Sequence, residues 1–182
     1  MRKFTLIIVA IACFSMGSNA QKMFEKGTQL FKLGVGVNGL GTPIDVSYEK
    51  GVKEDFLGVD GLVLGIGAGI GYYGYKEDFV GLDANGLPEK YSWEYTNIII
   101  GARALAHYQF IKKLDTYSGV ILGYNKASLK YVGSGSMPSP SAGGIVFGGL
   151  IGARYELSES LGAYVEAGFG ISNVSVGLAY KF

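Results

Sequence analysis

Nine ionisable side chains punctuate alternating, largely apolar segments: Lys32, Asp45, Glu49, Arg103, His107, Arg154, Glu156, Glu166 and Lys181. Apart from the histidine, four cations stand against four carboxylates, a balance suited to ion pairing. His107 is the one imidazole and Cys13 the one thiol. These are too few for a usual zinc site, and no acidic run has calcium-loop spacing. As a general base His107 would need a nucleophile, and no serine lies within two residues on either side. Gly34-Val35-Gly36-Val37-Asn38-Gly39 satisfies GxGxxG, yet Pro43 and a second alternating segment follow where a phosphate-binding helix should begin. Asn173-Val174-Ser175 is an N-x-S sequon to which we attach no function. Neither a metal nor a cofactor is expected.

The elements that position these charges follow from composition and period. The chain has 182 residues, 48% hydrophobic and 13% aromatic, enough for one domain. Sixteen basic against fifteen acidic residues, with no long basic stretch, leave no footprint for nucleic acid. Thirty glycines beside four prolines and thirteen tyrosines point to sheet, because glycine costs about 1 kcal/mol at a helix interior position.

The first twenty residues have the form of a cleaved signal peptide: Arg2 and Lys3, an apolar run from Leu6 to Phe14, then Ser18-Asn19-Ala20, with cleavage before Gln21. The run falls far short of the roughly 20 residues that a helical span needs. Ala10-Ile11-Ala12-Cys13 approximates a lipoprotein site, but alanine is poor in its first position. The mature chain, 21–182, then contains no cysteine and no disulfide framework.

In that mature chain the period is two. Val174, Val176, Leu178, Tyr180 and Phe182 alternate with Ser175, Gly177, Ala179 and Lys181, a strand with unlike environments on its two sides. Leu62 to Tyr72 and Ile98 to Phe110 show the same alternation. Eight strands are predicted, at about 28–38, 43–51, 61–75, 92–110, 116–131, 143–156, 161–170 and 173–182. The connections 112–115 and 157–160 are short, whereas 76–91 and 132–142 are longer, as in an outer-membrane barrel. The connections 52–60 and 171–172 depart from that pattern, the first long for its side and the second short. Tyr72, Tyr73, Tyr75, Tyr91, Trp93 and Tyr95 gather toward one end, and Tyr108, Phe110, Tyr117, Tyr155, Tyr180 and Phe182 toward the other. Such belts fit two membrane interfaces, and a secreted sandwich or lipocalin-like barrel gives no reason for them. The GxxxG series Gly61, Gly65, Gly69 lies between Asp60 and Lys76, too short a stretch for a helical span. The expected fold is all-β, an eight-stranded antiparallel transmembrane up-and-down barrel.

With apolar residues facing lipid, the nine ionisable groups point inward. An eight-stranded barrel has an interior that side chains can fill, so these groups must satisfy one another. A closed, ion-paired lumen is expected.

The segment from Arg154 to Gly170 and the ending Gly177-Leu178-Ala179-Tyr180-Lys181-Phe182 resemble the last hairpins of the small outer-membrane β-barrel family, often labelled "porin family". The chain is similar in this to outer-membrane protein X and to the barrel of outer-membrane protein A. The resemblance implies residence in the outer membrane of a Gram-negative bacterium, contact with its lipid, and insertion by the barrel assembly machinery. Leu178, Tyr180 and Phe182 would form the recognition signal. It also implies paired Glu and Arg inside the barrel, best matched by Glu166, Arg154 and Arg103. It supplies no substrate, since the family shares no single activity.

The favoured reading is therefore a structural or surface-interaction barrel and not an enzyme. An unknown surface partner would be met through the connection 76–91, with Glu77, Asp78, Asp83, Glu89 and Lys90 as contacts. A closed barrel has no sheet edge and can stand as a monomer. The alternative is a narrow porin-like conduit for small or apolar solutes. A minor alternative is a lipid-modifying barrel enzyme, which would need His107 on the lipid side.

Overall fold

The computed structural model describes residues 22–82, 86–134 and 137–182. The expected signal peptide, its cleavage site before Gln21, and Asp83 lie outside the described residues. Eight strands form one closed ring: β1 (Gln29–Val37), β2 (Ile44–Lys53), β3 (Val63–Leu82), β4 (Pro88–Ile111), β5 (Leu114–Val132), β6 (Ser141–Glu156), β7 (Leu161–Phe169) and β8 (Val174–Lys181). Each pairs antiparallel with its sequence neighbour, and β1 closes the ring on β8 from Leu30↔Lys181 to Val37↔Val174. The only helical element among the described residues is a single 3₁₀ turn, Phe56–Gly58, between β2 and β3.

Alternation assigns the two faces. On β1, Phe31, Leu33, Val35 and Val37 are exposed on the outside while Leu30 and Lys32 are buried within. On β8, Val174, Val176, Leu178 and Tyr180 face outward, opposite Ser175 and Ala179. Ile145 and Ile151, 82% and 65% exposed, continue the outer band on β6. So much apolar surface turned outward around an ionic interior inverts the order of a soluble barrel and is the order a bilayer requires.

Strand limits depart from expectation where the wall leaves the bilayer. The segment 76–91, expected as a loop, is mostly strand: β3 runs to Leu82 and β4 starts at Pro88, in unbroken register from Tyr72↔Ile98 to Leu82↔Pro88. Glu77, Asp78, Glu89 and Lys90 therefore stand on paired strands. Lys76-Glu77-Asp78 puts charge on both faces, so no apolar period marks a segment in water on both sides. The turn after β4 is also tighter than expected. It is Lys112–Lys113, with Lys113 in the left-handed region at φ 64°, and Asp115 belongs to β5.

The aromatic belts are corrected in part. Tyr72, Tyr124, Phe147 and Phe169 face outward at one end, and Phe31, Tyr48, Phe110, Tyr155 and Tyr180 at the other. Tyr73, Tyr75, Tyr91, Trp93 and Tyr95 share the parity of Arg103 and so lie on the inner side. Tyr117 is in the lumen, 4% exposed.

Glycines make room for the large inward side chains. A Cβ on Gly152 would sit 2.5 Å from Tyr117 Cε2, and one on Gly65 would meet the Glu49 carboxylate. At Gly144 nothing lies within 4 Å. Gly152→Ala is therefore expected to destabilise the barrel by about 1–3 kcal/mol through overpacking, while Gly144→Ala leaves it near the parent. Urea midpoints of the refolded chain in micelles check both.

Candidate functional site

The lumen gathers the charged row into two connected clusters. In the upper one, Glu166 on β7 is the hub: its Oε1 accepts from Lys32 Nζ, Arg103 Nη2 and the Tyr117 hydroxyl, each at 2.9 Å. Arg103 Nη1 also donates to Ser47 Oγ at 2.9 Å. Lys32 Nζ stands 4.5 Å from the Tyr117 ring centroid, and 3.6 Å from Glu49 Oε2. Those side chains come from β1, β2, β4, β5 and β7, so the cluster ties together strands that are not neighbours.

The lower cluster centres on His107. Its Nε2 lies 2.7 Å from Glu49 Oε1 and its Nδ1 3.0 Å from Asp115 Oδ2. Both ring nitrogens face carboxylates, an arrangement satisfied when both donate. Arg154 Nη2 reaches the same Asp115 oxygen at 3.2 Å. Thus Glu49, His107, Asp115 and Arg154 form one connected polar chain, joined to the upper cluster through Lys32. At the rim of the barrel Lys181 Nζ meets Glu156 Oε1 at 3.4 Å, both partly exposed.

Asp45 is placed differently from the other inward groups. It is buried but makes no ion pair within 4.0 Å among the described residues. It borders the same small cavity as Arg103, Glu166 and Ser172.

One mouth of the lumen has a stopper, and a turn residue reaches over the other. The segment before β1 folds into one mouth, where Phe24 stacks on His107 with centroids 3.8 Å apart and 21° between planes. Met23 N–H donates to Gln109 Oε1 at 2.9 Å, and its carbonyl accepts from Arg154 Nη2 at 3.2 Å. At the other end Ile171, in the β7–β8 turn, packs so closely on Gly71 that a Cβ there would be 2.7 Å from Ile171 Cγ2. Beneath that turn a cavity of about 30 Å³, bounded by Asp45, Arg103, Glu166 and Ser172, has room for roughly one or two waters.

Sequence reasoning missed Asp115, Tyr117 and the Met23–Phe24 stopper. Asp115 was readable: continuing the row Tyr117, Gly119, Ile121 two residues back reaches it. Met23 and Phe24 carry no periodic signal, because their burial depends on a lumen assembled from distant strands.

This arrangement matches solved structures in architecture. A major outer membrane protein from Thermus thermophilus superposes with a TM-score of 0.55 at 16% identity, over 85% of this chain and 99% of that one. Neisserial surface protein A gives 0.54 at 15% identity, over 85% and 95%. The N-terminal β-barrel domain of Pseudomonas aeruginosa OprF gives 0.52 at 11%, over 86% and 98%. No family model matches the chain, and no curated protein matches it in sequence. The fold is that of the small eight-stranded outer-membrane β-barrels, with transmembrane strands, an apolar outer wall and a polar interior.

Glu166→Ala removes three hydrogen bonds at once and leaves Arg103 without its carboxylate. Breaking a buried pair from one side costs about 3–5 kcal/mol. The unfolding midpoint in micelles is expected to fall accordingly, and less for Glu156→Ala at the partly exposed rim.

Proposed function

We propose that the chain is an integral outer-membrane barrel with a closed, ion-paired lumen, acting as a structural or surface-interaction protein. The observation that carries this reading is the filled interior: salt-bridged side chains from six strands occupy its middle, Phe24 and Met23 its one mouth, and Ile171 reaches over the other to Gly71. An aqueous conduit needs a continuous wet path lined by groups that solutes can displace. Here the inward charges other than Asp45 are engaged with one another.

On this reading, the mouth closed by Met23–Phe24, where the N-terminal segment and Lys181 meet, faces the periplasm, and the long β3–β4 hairpin stands outside the cell. Insertion by the barrel assembly machinery through Leu178, Tyr180 and Phe182 belongs to the same proposal, as does a monomeric state. All three aromatic or apolar side chains of that ending are exposed on the outer wall or at its end. The lipid-modifying alternative gains no support, because His107 is 1% exposed and both its ring nitrogens are held by carboxylates inside the lumen.

Planar-bilayer conductance of the refolded mature chain tests the proposal. After heat-dependent gel mobility has shown that the barrel is folded, no steady channel is expected at moderate voltage. Removing residues 22–24 should open one mouth without conferring steady conduction, since the Lys32–Glu166–Arg103 cluster still fills the middle. Steady channels from the intact chain would overturn the closed lumen and make a narrow conduit the leading function.

A further inference from the structure

The three strands that project beyond the bilayer sort their side chains by parity in a way that barrel closure does not require. On the face of inward parity stand Tyr75, Phe79, Tyr91, Trp93, Tyr95 and Tyr131, continuing the inward row above Asn97 and Asn125. Tyr75 and Tyr95 are stacked with centroids 4.4 Å apart and planes 4° from parallel. Phe79 stacks with Tyr91 at 5.6 Å, and Trp93 meets Tyr131 edge-on at 5.4 Å. The charges of this face among the described residues are both carboxylates, Glu77 and Glu89. Lys76, Lys90, Lys126 and Lys130 have the opposite parity and stand on the other side of the sheet.

The wall stands on one side of the barrel. Beyond Tyr72, β3 continues for Tyr73–Leu82, roughly 33 Å at about 3.3 Å per residue. Opposite, β7 and β8 are joined by a short turn after Phe169. The aromatic face therefore continues the inner wall above the mouth, while a hollow lined by Lys76, Asp78, Lys90, Ser92 and Val132 opens chiefly on the opposite side of the sheet.

We propose that this face docks a cationic segment of an extracellular protein, an extended stretch carrying arginine or lysine side chains. The proposal deepens the surface-interaction reading above and rests on it. Charge complementarity selects the occupant. Aromatic faces carry negative potential and attract cations placed over them, and carboxylates take guanidinium or ammonium donors through charge-assisted hydrogen bonds. An anionic or sulfated ligand finds no cation on this face, and a neutral sugar leaves the Glu77 charge unbalanced; the Glu89 carboxylate already accepts from the Ser134 amide and hydroxyl.

The test uses the folded mature chain in nanodiscs and a twelve-residue peptide of alternating arginine and serine. Its controls are the same peptide with citrulline for arginine and a neutral maltohexaose. Saturable binding of the arginine peptide is expected, with the citrulline peptide about tenfold weaker or more. Trp93→Ala with Tyr131→Ala should weaken binding although net charge is unchanged. Glu77→Gln should weaken it and flatten its salt dependence, while Lys76→Gln on the opposite face should not weaken it. Gel mobility confirms that each variant is folded. Equal binding of the citrulline peptide, binding of maltohexaose alone, or indifference to the aromatic substitutions would overturn the proposal. A barrel that is silent in the bilayer yet ignores the arginine peptide retires this docking site and leaves the closed barrel standing. A conducting barrel retires the closed-lumen reading whatever the peptide does.

Discussion

Within hydrocarbon every backbone N–H and C=O has to be paired inside the protein, and ring closure between β1 and β8 is what meets that demand here. The rest of the architecture depends on it. Closure with antiparallel neighbours sets the parity of each strand. Once Lys32 faces inward on β1, Ala179 beside it on β8 and Ser47 on β2 face inward too. The outer wall can then be apolar throughout its bilayer-spanning part while every buried charge is collected inside.

A ring of eight strands is narrow, so collecting charge means packing it. Glu166 serves two cations and a phenol because its oxygen lies where side chains from β1, β4 and β5 converge. His107 acts as a further link, holding Glu49 and Asp115 apart while Phe24 covers its ring. Such a cluster is weak evidence for stability in itself, since desolvation offsets much of the Coulombic gain. Its consequence is specificity: a one-residue slip of any contributing strand would carry its charge to the lipid face.

Where the wall rises beyond the bilayer that constraint ends. Lys76 to Asp78 and Glu89 to Lys90 place charge on consecutive residues, and the sheet persists through cross-strand pairs such as Tyr75 with Tyr95 and Phe79 with Tyr91. Freed from lining a lumen, the inner row becomes aromatic and acidic.

The sequence by itself determined the number of strands, their antiparallel order and, within the clearly alternating segments, which residues face inward, because period-two alternation between lipid and lumen is written residue by residue. The inward placement of Lys32, Glu49, Arg103, Arg154 and Glu166 was legible for that reason. The extension of β3 and β4 was not, since a strand with water on both faces has no alternation to read. Nor were the pairings. That Glu166 meets Lys32 and Arg103 across 134 and 63 residues, that Asp115 joins His107, and that Phe24 closes the mouth were decided only by the tertiary structure. They depend on distances across the closed ring, and alternation along a single strand records only the face on which a side chain stands.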